Sequence, residues 1–370
     1  MSQTDATAAM TTALTRSDIK VSSEELTRFY EELNADRLGA LWTSLPPQIV
    51  PGAGKVEPHP HALPYVWHWR DLRLRALQAA ALIGTEQAER RVLELRNPGL
   101  TEYVAATNTL FAGLQIVMPG ELARAHRHTM AALRFVIESD GGYTNVGGEP
   151  IPMRPGDLVL TPNWAWHDHA NDTSRPMIWL DGLDAPLIRF LGTGFHEEYS
   201  DETQPLSEQR GSTRTKYGAG ALRPAWDSHS GRASPLMHYS WADTRQALQD
   251  LVDLAKGSPY DGLIIEYTNP LDGGPVMPTL GCYVQMLRPR ERTQGHRHTS
   301  SAVYHVVEGQ GCSMVGNEAL EWDDKDVFAV PAWTDHYHQN LSHTAPAFLF
   351  SFTDIPVVRS LDLLREQPTT

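Results

Sequence analysis

A His-x-His pair followed at long range by a third histidine occurs twice along this chain, and the two copies match in their surroundings. His126-Arg127-His128 is followed 39 residues later by His167, and His296-Arg297-His298 is followed 38 residues later by His336. An asparagine stands four residues beyond each third histidine, Asn171 and Asn340. An Asp-apolar-Pro stretch precedes each, Asp157 to Pro162 in one copy and Asp326 to Pro331 in the other. Side chains alternate across a β-strand, so residues i and i+2 share a face. His-x-His on a strand therefore aims two imidazoles at one point. A histidine from a neighbouring strand completes a facial set that leaves coordination positions open, as a catalytic metal requires. With 16 histidines in 370 residues, one such pair arises readily by chance. Two copies with matched spacing do not, and they mark a duplicated structural unit.

The rest of the chain reads as two β-rich segments behind a different beginning. Residues 1 to about 15 are small and polar and are expected to be disordered. Ser22 to Leu26 opens an amphipathic helix with Leu26, Phe29, Tyr30 and Leu33 at helical spacing. The prolines at 46, 47, 51, 58, 60 and 64 predict an extended, wrapping segment, and a second helix is expected from Trp69 to Ile83. Residues 1–100 thus read as a helical and irregular arm without sheet.

Apolar runs of strand length follow at Leu110–Met118, Ala132–Glu138 and Asp157–Thr161, with Asp140-Gly141-Gly142 and Gly147-Gly148 as turns. The order repeats at Cys282–Leu287, Ala302–Glu308, Val327–Val330 and Ala347–Phe352. Short strands at this spacing predict antiparallel jelly-roll barrels, one over 101–200 and one over 263–370. The segment 201–262 reads as a linker with a helix from Trp241 to Lys256, and a short helix from Arg359 to Glu366 is expected to close the chain.

Bulk properties narrow the class of function. The 31 basic and 45 acidic residues leave a net charge of −14, which argues against nucleic acid or an anionic membrane as partner. No run of 18 apolar residues is present, and Met1–Lys20 lacks an apolar signal core. Two cysteines, Cys282 and Cys312, fit a reducing cytoplasm. A cytoplasmic enzyme is the expected class.

Two histidines on one strand and a third on a partner, inside a small barrel, is the cupin arrangement. The usual cupin signature adds a glutamate four or five residues after the second histidine. Here Ala132 and Leu133, or Ala302 and Val303, hold those positions and cannot bind a metal. Three neutral imidazoles leave a divalent ion its full charge, which favours an anionic substrate chelating through two oxygens. Imidazole suits iron, zinc, copper and nickel alike, so the ligands alone do not choose the metal.

Long stretches of the chain resemble the gentisate 1,2-dioxygenase family and its salicylate- and 1-hydroxy-2-naphthoate-cleaving relatives. They include Phe111 to Gln115, Pro119 to Glu121, Ala125 to Thr129, Ala132 to Phe135, Pro155 to Pro162, Trp166 to His169, Trp179 to Asp184, Val306 to Gly309 and Val330 to Trp333. The resemblance covers roughly residues 25–365 and implies a mostly β bicupin with a helical N-terminal arm. It implies Fe(II) and O₂ used to open the ring between the carboxyl-bearing carbon and the adjacent hydroxyl-bearing carbon. Gentisate, giving maleylpyruvate, is the first choice among small aromatic 2-hydroxy acids, with salicylate and 1-hydroxy-2-naphthoate as alternatives.

Carried onto this sequence, the resemblance makes His126, His128 and His167 the iron ligands. Arg134 becomes the anchor of the substrate carboxylate, Arg91 a second arginine at the substrate, and Gln115, His169 and Asp181 polar residues lining the site. Arginine is the natural bidentate partner of a carboxylate, and Arg134 lies in an apolar run where a charge needs a partner. Trp164, Trp166, Trp179, Tyr304, Trp322 and Trp333 are expected to be barrel core. His296, His298 and His336 form a possible second metal site, but Tyr304 stands where the first copy has Arg134. Gly113 is expected to leave room in the substrate pocket. A homo-oligomer, with a tetramer favoured and the arm packed across a neighbour, is expected. A non-enzymatic metal-binding bicupin is the rival of another class; a cupin isomerase or decarboxylase is the enzyme rival.

Overall fold

The computed structural model describes residues 21–44, 57–84, 87–88, 90–220, 222–227, 229 and 231–369. The terminus expected to be disordered and the prolines at 46, 47 and 51 lie outside these. Contacts divide the chain into two units, Met1–Glu57 and Pro58–Thr370.

In the first unit, helix α1 (Ser23–Ala35) begins at a full capping box: the Ser22 hydroxyl accepts from the Glu25 amide, and the Glu25 carboxylate accepts from the Ser22 amide. None of its residues is buried. A single turn, α2 (Leu41–Ser44), follows, and Trp42 Nε1 donates to Tyr30 Oη at 3.0 Å.

The second unit carries every strand among the described residues. In chain order they are β1 (Tyr65–Trp67), β2 (Val92–Glu94), β3 (Phe111–Val117), β4 (Leu122–His128), β5 (Ala132–Glu138), β6 (Tyr143–Val146), β7 (Glu149–Pro152), β8 (Leu158–Thr161), β9 (His167–Ala170), β10 (Met177–Leu183) and β11 (His196–Glu198). The second half continues with β12 (His238–Tyr239), β13 (Leu263–Tyr267), β14 (Gly281–Leu287), β15 (His296–His298), β16 (Ala302–Glu308), β17 (Gly311–Val315), β18 (Glu318–Trp322), β19 (Val327–Val330), β20 (His336–Asn340), β21 (Ala347–Thr353) and β22 (Glu366–Pro368). The helices of this unit are α3 (Trp69–Leu82), α4 (Ala185–Leu191), α5 (Ser212–Tyr217), α6 (Trp241–Leu251) and α7 (Ile355–Ser360).

Four antiparallel sheets form two barrels. The first pairs the sheet β12-β8-β5-β10-β3-β2 with β11-β4-β9-β6-β7; the second pairs β1-β19-β16-β21-β14-β13 with β18-β17-β20-β15-β22. Register shows that the duplication holds residue by residue. Asp181 faces Arg134 across β10 and β5, and Ser351 faces Tyr304 across β21 and β16. Alternate residues of the larger sheets point inward between the barrels, where Phe135 stacks on Phe350 with centroids 4.1 Å apart within one apolar core.

The edge strands are exchanged. β1 precedes the first barrel in sequence yet pairs with β19 of the second, and β12 precedes the second yet pairs with β8 of the first. Each crossing is fixed by the aspartate of the Asp-apolar-Pro stretch. Asp326 accepts from His68 Nδ1 (2.8 Å) and the Trp69 amide (2.7 Å); Asp157 accepts from His238 Nε2 (2.7 Å) and the Trp241 amide (2.9 Å). Gly156 makes the second crossing possible, because a Cβ there would lie 2.4 Å from the Trp241 ring.

These strands correct three expectations. Residues 1–100 are not free of sheet, because β1 and β2 bind barrel edges. The segment 201–262 is more than a linker, because β12 completes the first barrel. The chain closes on strand β22 preceded by α7, not on a helix over Arg359–Glu366. The two- and three-residue strands at β1, β2 and β12 are too short to show alternation, so periodicity could not reveal them.

Candidate metal centre

The three histidines of the first barrel come together as alternation requires. His126 and His128 lie on β4, and His167 on β9 stands directly opposite His126. Their ring centroids are 4.5 Å (His126–His167), 4.9 Å (His128–His167) and 5.3 Å (His126–His128) apart. All three are buried, and one nitrogen of each lies within 4.8 Å of the others. His128 Nδ1 donates to the Met130 carbonyl at 2.9 Å and His167 Nδ1 to the Ala165 carbonyl at 3.0 Å. Each bond fixes the tautomer and leaves Nε2 as a lone pair. His167 Nε2 is buried with no hydrogen-bond partner, which a metal ion would remedy. Burial, reinforced by Arg134 and Arg90, holds all three imidazoles neutral, with His128 lowered to about 4. Neutral, convergent nitrogens without a carboxylate suit a borderline divalent transition ion.

The centre opens into a cavity of about 590 Å³ lined on one side by His126, His128, His167, Gln115, Arg134 and Asp181. Arg134 and Asp181 are cross-strand neighbours, with Nε 3.7 Å from Oδ1. Arg134 Nη1 also donates to the Thr161 hydroxyl, and Asp181 accepts from Trp179 Nε1 at 2.8 Å. Burial pushes the Asp181 carboxyl up to about 6 even though Arg134 opposes the shift. The Gln115 amide nitrogen is buried and unpartnered. His169 stands behind His167 and off the cavity wall, its Nδ1 on the Thr144 hydroxyl at 2.8 Å and its Nε2 unpartnered. Burial, with Arg134 next, keeps it neutral.

Arg91 is not at the cavity. Its guanidinium pairs with Glu121 and donates to the Ala80 and Ile83 carbonyls at the end of α3. Its neighbour Arg90 lines the cavity instead, with Nε 3.1 Å from His126 Nδ1 and Nη2 on the Arg124 carbonyl. Adjacent residues entering a strand face opposite sides, and a doublet does not reveal which side is which. Phe111 and Leu183, from the stretches that carry the family resemblance, also line the cavity, as do Glu94 and Arg96, which no motif singled out. The space beside Gly113 is filled as well, since a Cβ there would lie 2.6 Å from Val92 Cγ1 and 3.0 Å from the Phe111 ring. Trp179, Tyr304 and Trp322 are buried core. Trp164 and Trp166 are only partly buried and sandwich Arg127, each centroid 4.4 Å from its guanidinium carbon; Trp333 lies 4.5 Å from Arg297.

The matched asparagines acquire a role. Asn171 donates to the Val117 carbonyl and Asn340 to the Leu287 carbonyl, tying the end of the strand that carries each third histidine to β3 or β14. His296, His298 and His336 also converge, with nitrogens within 4.8 Å of one another.

A cupin domain family model matches residues 113–182 and 283–353. The chain is 38% identical over 344 residues to gentisate 1,2-dioxygenase 1 of Aquipseudomonas alcaligenes, covering 93% of this chain and 96% of that protein. It is 40% identical to a 1-hydroxy-2-naphthoate 1,2-dioxygenase of a Nocardioides strain, over 84% of this chain and 80% of that one. A crystal structure of the salicylate 1,2-dioxygenase from Pseudoaminobacter salicylatoxidans, in adducts with gentisate, superposes with a TM-score of 0.87 at 34% identity, covering 96% of this chain and 97% of that chain.

Proposed function

Because this chain belongs to the gentisate 1,2-dioxygenase family of bicupin ring-cleaving dioxygenases, we propose that it opens gentisate to maleylpyruvate at an Fe(II) centre on His126, His128 and His167. The observation that carries this reading is the opening of a neutral three-histidine face into a cavity walled by the buried Arg134–Asp181 pair. An Fe(II) ion held by His126, His128 and His167 would supply Lewis acidity toward a chelating phenol and a path for electrons from the ring to O₂.

The chain's own residues do the rest. Asp181, 3.7 Å away, and the Thr161 hydroxyl flank the buried Arg134 guanidinium, whose Nε has no hydrogen-bond partner and can take a carboxylate, a contact that would set which ring carbon faces the metal position. Arg90 and Arg96 bring further positive charge to the cavity. Gln115 has an amide donor to give to a substrate oxygen. Asp181, raised to about 6, accepts a phenolic proton near neutral pH. His169, neutral and held by the Thr144 hydroxyl behind His167 and off the cavity wall, packs against the ligand set and does not reach the substrate.

A second reading, cleavage of a bicyclic acid such as 1-hydroxy-2-naphthoate, is favoured by the cavity. At about 590 Å³ it exceeds what one substituted ring fills and falls within the usual range for larger ligands. Oxygen uptake by anaerobically Fe(II)-loaded protein, measured with gentisate, salicylate and 1-hydroxy-2-naphthoate, separates the two. Fastest turnover on gentisate, with one O₂ consumed per ring opened, supports the first. Preference for the naphthoate replaces it with the second, and inertness toward all three removes both. Action in the cytoplasm belongs to the same proposal; among the described residues no helix is long and apolar enough to cross a membrane.

A further inference from the structure

We propose that the second barrel holds its own divalent transition-metal ion on His296, His298 and His336, as a structural centre that clamps the C-terminal strand and takes no aromatic acid. His296 and His336 are register partners, with ring centroids 4.4 Å apart, and His298 completes the face at 4.9 Å from His336 and 5.4 Å from His296. Every Nδ1 of this set meets an acceptor. His298 donates to the Ser300 carbonyl at 2.9 Å, His336 to the Thr334 carbonyl at 2.8 Å, and His296 to the Glu366 carboxylate at 3.1 Å. All three rings are thereby fixed with Nε2 as a lone pair. Nε2 of His296 and of His336 are buried without a partner. Converging, buried, unpaired lone pairs are costly unless a cation sits between them.

The contrast with the first barrel is informative. The corresponding nitrogen, His126 Nδ1, faces the guanidinium of Arg90. Glu366 on β22 pairs with His298 as His196 on β11 pairs with His128, so a carboxylate has taken the place of an imidazole. A carboxylate behind a ligating histidine raises the basicity of the nitrogen that binds the metal. Through Glu366 the same bond joins the ion to the last strand of the chain.

The second barrel lacks what would hold an aromatic acid. Tyr304 and Ser351 stand at the register positions of Arg134 and Asp181, and the cavity is about 230 Å³ against about 590 Å³. Its walls set one arginine, Arg359, against two carboxylates, Asp261 and Glu366. An anion is repelled where a cation is held.

The test is metal stoichiometry of the full-length chain dialysed against Zn(II), read by elemental analysis and independent of turnover. Wild type is expected to bind two ions per chain, and His128→Ala and His298→Ala one each. Glu366→Gln, at an exposed position, is expected to weaken one of the two ions by about 10- to 100-fold. Hydrogen exchange of the Glu366, Gln367 and Thr369 amides should slow on Zn(II) addition in wild type and not in Glu366→Gln. One ion in wild type, lost in His128→Ala and kept in His298→Ala, overturns the second centre. Two ions with full affinity and unchanged exchange in Glu366→Gln overturn the clamp. Circular dichroism identifies a variant that has not folded, in which case wild-type stoichiometry and Glu366→Gln decide.

Discussion

Arg90, Arg91 and Arg134 separate into three jobs that single substitutions distinguish. Arg134→Met should raise KM for a carboxylate substrate far more than it lowers kcat, at a cost of about 2–5 kcal/mol, because an anion would be left unpaired in a closed site. Arg91→Met should instead lower the thermal midpoint, since Glu121 and two carbonyls at the end of α3 lose their donor. Steady-state kinetics beside thermal melts would expose an exchange of these roles. The buried carboxyls add a pH signature. Asp184, pushed up to about 6 from an ordinary 3.8 by burial, accepts from the Ala131 amide and the Thr279 hydroxyl. Between those values the folded chain keeps a proton that the unfolded chain has released. The stability this group contributes is therefore greatest at low pH and is lost as pH rises through about 6. Asp184→Asn, which mimics the neutral acid, should gain on wild type in thermal midpoint between pH 4 and 7; a difference that stays flat or runs the other way refutes the assignment. The Asp181 carboxyl, also near 6, should give kcat/KM an acid limb that Asp181→Asn abolishes.

At the scale of elements, the exchanged strands are the feature least visible in the sequence. Both histidine sets and the duplication were legible because matched motif spacing shows whatever the strand length, and the longer strands β3, β5, β14, β16 and β21 show as apolar runs. Helices α1 and α3 were legible from a serine cap and from apolar spacing. β1 and β12 were not, because two or three residues carry no period and their partners lie more than 75 residues away in sequence, Val327 for Trp67 and Leu158 for Tyr239. Yet the aspartates that receive them, Asp157 and Asp326, were already conspicuous as matched residues. What could not be read was that each holds a tryptophan amide and a histidine from the other half. Asp326→Ala should leave His68 and the Trp69 amide unpaired in a partly buried place and cost about 2–4 kcal/mol, as should Asp157→Ala for its own crossing. Denaturant midpoints check this, and a loss within 0.5 kcal/mol in both would mean that the crossings are held by packing alone. The doublet Arg90-Arg91 failed for a related reason: at a strand's first residue a one-position slip reverses the face.

At the scale of the whole molecule, exposed apolar surface remains to be covered. α1 buries none of its residues, and Val21, Leu26, Phe29, Leu38, Leu41 and Trp42 of the first unit stay open to solvent. In the second unit, Phe190, Leu191 and Phe195 beyond β10 and Leu361 and Leu363 beyond β21 are also exposed. Single exposed apolar residues are ordinary, but clusters of this size on a chain of net charge −14 are costly to leave in water and mark association surfaces. Closed homo-oligomers with two-fold interfaces are the common solution. The protein is therefore expected to be a homo-oligomer, with a tetramer favoured and the helical arm lying across a neighbouring copy. Sedimentation of the full chain at micromolar concentration should give a mass well above the 41.2 kDa of one chain. Leu26→Glu combined with Phe29→Glu should lower that mass while leaving the barrels folded by circular dichroism, because each buried charge without a partner opposes association. A monomeric wild type would show that these faces serve another purpose, and an unchanged mass in the double variant would move the interface to the Phe190 and Leu361 clusters.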